Sequence, residues 1–371
     1  MADMNKPLFD LTPADLHVEV NSYKPGNGLV WPILFPLKFT PKFDLKGIEG
    51  NEGIPVSADR VSFNTKAPLK TRKTVGSWSG TLGKYAISRE KDEIQINEYN
   101  ELKIISAATP EDLATAKYLV DMVYDDVKFV NDGIDYKTEI DAMRIGSLGK
   151  HTFPASVEGD MATADEINFN VPATNFVGVT AAWSDATNAD GIKDIIDQQK
   201  VIQKKGLRKP MWAIMETSAF ELLLAQTKVQ KRVAATIINV AGLTSSEVLS
   251  IDNVNAYMRK KGYPQILIID SYATIENKKG EQTTIKPWNE KVVVLSPEPR
   301  LGYTYYKPVP MVSEVAAMQS QGAYAKTTVY STVNPMLEVT MAEAYVQPGL
   351  TNRASLVFMN ITNTTGFNNG E

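Results

Sequence analysis

The 371-residue sequence contains no cysteine, which excludes a disulfide framework, thiolate zinc sites and a cysteine nucleophile. Its only histidines are His17 and His151, so histidine-based metal binding or catalysis has little to work with. No apolar run approaches the roughly 20 residues that a spanning helix needs, and no membrane partner is expected. The stretch Met1 to Pro7 lacks the basic-then-apolar pattern of a secretory signal, so export through a cleaved leader is not expected. Charge of either sign is not in large excess, with 39 Lys+Arg against 43 Asp+Glu and a formal net charge of -4. Hydrophobic residues make up 43% and charged residues 22%, an ordinary globular balance that can bury a large core.

Catalytic constellations are equally scarce. Gly80 to Tyr85 and Gly146 to His151 resemble fragments of a phosphate loop. Both lack the four-residue spacing between glycines and the Ser/Thr after lysine that cradle phosphate and hold magnesium. A hairpin turn and a helix end are the better readings. Asp185, Asp190, Asp194 and Asp197 offer oxygen ligands, but acids near a helix N-terminus complement its dipole, and a solvated face is expected. Glu139 and Arg144 stand five apart, at most a loose structural pair. Asn360 and Asn363 begin glycosylation sequons that carry no meaning without a secretory signal. The five tryptophans are scattered, as packing anchors are. No catalytic residue, cofactor or metal is expected, and the chain does not read as an enzyme.

What is present is a distinctive order of segments. The first fifty residues carry Pro7, Pro13, Pro25, Pro32, Pro36 and Pro41, too many for a helix or central strand. Between them runs an apolar stretch including Trp31, Phe35 and Phe39, unlike a disordered tail. Such a segment packs either as a strap on its own subunit or as an arm on a neighbour. From Arg60 to Lys91, eight basic residues face the single acid Glu90, in a β-like, glycine-punctuated context. This predicts a long two-stranded excursion. From Thr109 to Leu148 an N-cap hydroxyl, Pro110 and early acids open a helix whose apolar residues recur at three- and four-residue steps. Asp132-Gly133 is a candidate kink, and Gly146 and Gly149 end the element. Thr109 to Ile145 holds nine acids against four bases. A hairpin is expected over Thr152 to Val171. An α/β region follows from about Trp183, with strands at Met211 to Met215, Ile266 to Ile269 and Val292 to Leu295. Its helices start at Ile192, at a Ser218/Glu221 capping box and at Lys228, and another ends at Lys261-Gly262. Between its strands, Asn277 to Gly280 marks a protruding hairpin. Thr327 to Ile361 returns to β character.

Several local stretches, in this order, resemble the lambda-like major capsid protein E family of tailed bacteriophages, which has the Hong Kong 97-type capsid fold. They are Glu139 to Lys150, Ala182 to Asp185 with the helix after Asp190, Trp212 to Phe220, Ile266 to Tyr272, Val292 to Pro297 and Leu301 to Tyr305. Lys307-Pro308 departs from the family's usual glycine. The resemblance spans roughly Arg60 to Val346. It implies an α+β fold with an N-terminal arm (1–59), an extended β-loop (60–103), and a peripheral domain with a long spine helix (104–180). An α/β axial domain (181–310) and a return to the peripheral domain with a C-terminal tail (311–371) complete it. It further implies a structural protein that assembles with copies of itself into hexamers and pentamers of an icosahedral head around double-stranded DNA, held without sequence preference. Scaffolding, portal and decoration proteins are implied partners, the virion capsid the location, and the bacterial cytoplasm the place of assembly. Expected loop contacts with the adjacent subunit are Arg60, Lys66, Lys70, Arg72, Lys73, Trp78, Lys84 and Arg89. Expected arm contacts are Trp31, Phe35 and Phe39, and the acidic face that receives the loop is Asp121, Asp125 and Asp126. An acidic inner surface would let packaged DNA slide. Two rival readings are an encapsulin-like nanocompartment shell and a basic-ribbon nucleic-acid-binding protein. An enzyme built on the α/β region is a third.

Overall fold

The computed structural model describes residues 11–24, 26, 28–46, 58, 60, 79–108, 113–153, 165–234, 249–276, 279–312 and 317–364. The chain opens with helix α1 (Pro13–Ser22), the single turn α2 (Trp31–Leu34) and short strands β1 (Leu37–Phe39), β2 (Asp44–Lys46) and β3 (Ser79–Thr81). Strand β4 (Gly83–Lys91) leads into helices α3 (Glu93–Ala108) and α4 (Leu113–Leu148), then strands β5 (Lys150–Phe153), β6 (Asp165–Asn168) and β7 (Phe176–Gly178). An α/β stretch follows: α5 (Gly191–Lys204), β8 (Trp212–Glu216), α6 (Thr217–Ala225), α7 (Thr227–Ala234), α8 (Ile251–Lys261) and β9 (Gln265–Ile269). Strands β10 (Ala273–Glu276), β11 (Gln282–Ile285), β12 (Val292–Ser296) and β13 (Gly302–Lys307) come next. The last are β14 (Met318–Gln321), β15 (Ala325–Val333), β16 (Met336–Leu350) and β17 (Val357–Asn360).

Two sheets organise these elements. In the larger, the order is β1-β13-β16-β15-β14, with β4 also pairing along β16. The 15-residue β16 is its axis, and α4 packs across it. The smaller sheet runs β7-β17-β12-β8-β9. Its Ala213, Met215, Val293, Leu295 and Met359 face a core formed with α5 to α8. Its Ile214, Val292, Val294 and Phe358 face the core shared with the end of α4. Both faces are therefore covered, which is why Val292 to Leu295 is an unbroken apolar run.

α4 is continuous over 36 residues, about 54 Å at 1.5 Å per residue. It runs unbroken through Asp132-Gly133, and Gly149 ends it in the left-handed region at φ +70°. The expected start at Thr109 to Asp112 lies outside the described residues. The β5–β6 hairpin and the β10–β11 hairpin stand where the turn signals put them. Three local expectations change. The proline-rich opening contains a helix after all: Thr12 caps α1 with Pro13 at its first position, and Asp15 closes a capping box. The excursion expected over Arg60 to Lys91 does end as strand at Lys91, and the remainder of the loop that the resemblance implies, to Lys103, is helical. Asp92 Oδ1 accepts from the Gln95 N–H at 3.0 Å and Gln95 Oε1 from the Asp92 N–H at 3.2 Å, which starts α3. α6 is capped not by Ser218 but by Glu216, whose carboxylate accepts from the Ser218 N–H at 2.6 Å.

Candidate assembly surface

The segment after α1 is fastened to the spine helix by buried carboxylates. The Tyr23 hydroxyl lies 2.6 Å from both Asp132 Oδ1 and Asp135 Oδ2, one donor shared by two acceptors. The other Asp135 oxygen accepts from the Tyr324 hydroxyl. One helical turn on, Glu139 accepts from the Trp31 N–H at 2.7 Å, the Val30 N–H at 3.1 Å and the Ser271 hydroxyl at 2.5 Å. Asp135 and Glu139 are fully buried, and burial pushes both carboxyls above their ordinary range, against the pull of these hydrogen bonds. A further half-turn on, Asp141 accepts from the Tyr85 hydroxyl of β4 and from Lys137 Nζ at 3.1 Å. Glu139 is thus no partner of Arg144. It holds the strap.

Trp31 and Phe35 are 1% and 0% exposed, inside the core of their own subunit. Within the subunit this stretch packs as the strap of the two alternatives: Glu139 accepts from two backbone N–H groups and the core takes both large rings. Phe39 is different, 57% exposed on β1 and edge-on to Tyr306. β1 is itself an edge strand, paired in parallel with β13 only.

The basic ribbon is also partly internal. Lys84 pairs with Glu343 of β16, to which Lys326 adds at 3.2 Å. Burial opposes it, yet these two lysines hold the Glu343 carboxyl below its usual range. Arg89 lies 3.3 Å from both Asp125 and Asp126, with its guanidinium over the Phe129 ring. Lys91 reaches the buried Asp126 at 2.8 Å. So Arg89 meets Asp125 and Asp126 within one subunit, and Lys84 meets Glu343 there, because β4 lies along β16 beside α4. Asp121 and Arg60 are exposed. Lys66, Lys70, Arg72, Lys73 and Trp78 lie outside the described residues.

Of the acids of the α/β region, Asp185 is exposed and Asp197 half exposed, while Asp190 and Asp194 are buried and structural. Asp194 accepts from the Thr180 N–H and hydroxyl and from Trp183 Nε1, and Asp190 caps α5 and pairs with Arg232. Among the described residues no group of three or more His, Asp or Glu is placed to hold a metal ion. No helix among them is long and apolar enough to cross a membrane.

Part of the surface that stays open to solvent is apolar. Ile96 and Tyr99 bury the inner face of α3 against Leu119, Met122 and Val123 of α4. On the outer faces of the same pair, Ile94 and Ile104 are 75% and 71% exposed, and Tyr118 and Val120 about half exposed. Large apolar side chains left in water on projecting elements mark a protein-binding surface. Sequence reading misses this surface because the β-like composition before α3 extends the strand expectation across it. It misses the strap's anchors because Asp132, Asp135 and Glu139 look like surface acids, though they share the helix face of the buried Met143.

Residues 82–360 match the sequence profile of the family described as phage major capsid protein E. Among solved structures, a prophage capsid protein from Escherichia coli CFT073 is similar over 94% of this chain and 99% of its own, with 13% identity and a TM-score of 0.54. A phage-related protein from Bordetella bronchiseptica RB50 is similar over 96% and 98%, also with 13% identity and a TM-score of 0.54. No curated protein matches the chain. The α+β fold is that of phage capsid subunits, its role is structural, in an icosahedral shell, and the chain belongs to the phage major capsid protein E family.

Proposed function

We propose that the subunit tiles the shell as hexamers and pentamers, using the outer faces of α3 and α4 and the ribbon preceding β4 as contacts with neighbours. The observation that carries this is the exposed apolar surface of the paired helices α3 and α4. Rings of identical subunits need complementary, non-identical patches, and projecting elements supply area without enlarging the core. Many modest contacts then add through effective concentration. In this division 1–59 is the arm, of which residues 29–39 strap the subunit's own core. Residues 60–103 form the loop, 104–180 with 311–371 the peripheral domain, and 181–310 the axial domain. Lys66, Lys70, Arg72, Lys73 and Trp78 contact the adjacent subunit, where Asp121 is open to receive a cation, and Phe39 serves on the arm side.

The shell encloses double-stranded DNA, works with scaffolding, portal and decoration proteins, assembles in the bacterial cytoplasm and has no enzymatic step. Family membership supports these assignments. Sedimentation velocity with negative-stain microscopy of the expressed full chain tests the core of the reading. Closed particles of uniform size are expected, and a monomer that persists at high concentration overturns it. Lys70→Glu, Arg72→Glu and Lys73→Glu together should give soluble subunits that do not assemble. Normal shells from that variant would remove the loop from the contact.

A further inference from the structure

One end of the smaller sheet is electrically unlike the rest of this net-acidic chain. β8 and β9 are parallel, so the turn after α5 and the turn after α8 arrive side by side at their starts. Both turns pass through a left-handed glycine, Gly206 and Gly262. Lys209 Nζ of the first donates to the Gly262 carbonyl of the second at 2.8 Å. These two turns bring together Lys204, Lys205, Arg208, Lys209, Lys260 and Lys261.

The acid beside them is Glu298, already occupied by Arg208 at 2.7 Å and Arg300 at 2.9 Å. Lys205 donates to neutral partners, Thr174 at 3.1 Å and Asn175 at 3.0 Å. Lys204, Lys260 and Lys261 are exposed and have no carboxylate within 4 Å among the described residues. At the other end of the same sheet cations are neutralised: Lys286 by Glu216 and Glu290, Arg232 by Asp190. Cations in the last turn of a helix suit its dipole, which accounts for Lys204, Lys260 and Lys261 one at a time. It does not account for Lys205, Arg208 and Lys209 beyond the helix end, nor for the missing counter-charge.

We propose that this basic cap is a contact surface for the phosphate backbone of the enclosed nucleic acid. The inference rests on the reading of the chain as a shell subunit, which places a duplex within its reach. An acidic protein is the rival occupant, and the surface is poorly built for one. Protein interface cores are depleted in lysine and rich in aromatics. Here lysine dominates and Val201 is the one large apolar side chain exposed on these segments. Contact by point charges carries no base readout, so binding is independent of sequence and falls steeply with salt. Each subunit binds weakly, and a shell of many copies binds strongly. The DNA would then meet discrete basic points rather than a uniformly acidic wall.

The test uses full-length unassembled subunits and a fluorescent 25-base-pair duplex followed by anisotropy across a salt series. Lys204→Gln, Lys260→Gln and Lys261→Gln together remove three charges that have no carboxylate partner among the described residues. At low salt the triple variant should bind at least tenfold more weakly. The slope of log K against log salt should shrink by about 0.9 for each phosphate that the variant no longer neutralises. A control of equal charge change, Lys42→Gln with Lys117→Gln and Lys128→Gln, should retain affinity. Unchanged binding in the first variant, equal weakening in the control, or wild-type preference for polyglutamate over duplex would each overturn the proposal. Sedimentation of the same wild-type protein under assembly conditions reads the shell assignment separately. Failure to assemble would sink that reading, whatever the duplex titration gives.

Discussion

The two halves of α4 are one helix with two environments. From Val130 to Leu148 apolar and acidic side chains alike are buried: Ile134, Met143 and Ile145 in the core, Asp135, Glu139 and Asp141 each accepting hydrogen bonds from other segments. Toward its other end Leu119 and Met122 pack on α3 and Val127 joins Leu16, Val20 and Val329, while Tyr118, Val120 and Phe129 are about half in water. The lesson is that burial of charge, not of apolar surface, marks the half that builds the subunit. Apolar residues occur along the whole length. Where carboxylates find partners in the sheet and the strap, from Asp126 onward, the chain has closed on itself, and the exposed apolar stretch before it is the surface proposed for copies.

The largest expected effect breaks this contrast on the open half. Ile104→Asp with Val120→Asp should abolish particle formation in sedimentation and microscopy. The stability of the subunit should move by no more than about 0.5 kcal/mol, as for surface substitutions that touch nothing inside. The closed half should answer in the opposite way. Glu139→Ala leaves the Val30 and Trp31 N–H groups and the Ser271 hydroxyl without their acceptor. Urea denaturation should report a loss on the order of 3 kcal/mol, since each orphaned buried donor costs about 1–3 kcal/mol while one desolvated charge is relieved. Assembly should fail only as far as folding does.

A smaller effect sharpens the same point through pH. Burial raises the carboxyl pKa of Asp135 and Glu139 above ordinary values near about 4. A raised pKa favours the protonated form in the folded state. Its contribution is therefore complete below the ordinary value and is lost as pH rises through the raised one. Glu343 and Glu216 behave oppositely: against burial, Lys84 and Lys326 hold the first low and Ser218 and Lys286 the second, and their contribution fades as pH falls. Comparing wild type with Glu139→Gln cancels those common carboxylates. Between pH 7 and about 4, thermal melts should show the wild type gaining stability relative to the variant.

The sequence made the spine, the hairpins, the doubly covered strands and the returning β-segment readable, because each rests on local periodicity or a turn residue. Val292 to Leu295 and Gly149 are such cases. What it concealed was pairing at long range. Arg89 and Asp125 are both visible as charges, but nothing local says that β4 runs along β16 and brings them together in one subunit. Trp31 and Phe35 read equally as a strap or as an arm because their prolines argue against regular structure, while the acceptor that seats them, Glu139, lies over a hundred positions away. α3 is legible yet easily overlooked: Asp92 and Gln95 have the spacing of a capping box, outweighed by the β-like composition before them.

The smallest expected effect lies at the seam between the halves. Gly133 is inside α4, where glycine costs about 1 kcal/mol relative to alanine. A methyl group there would approach Ile87 Cδ1 of β4 at 2.6 Å and Cγ2 at 3.3 Å. The nearer atom is the free end of a half-buried side chain and can turn away, for a rotamer cost of about 0.5–1.5 kcal/mol. Gain and cost nearly balance, so Gly133→Ala should change stability by less than about 1 kcal/mol and leave assembly intact. Gly133→Val reaches Cγ2 as well and should lose about 1–3 kcal/mol by overpacking. If alanine proved as costly as valine, the packing of α4 on β4 would be rigid at Ile87, with no rotamer free to yield.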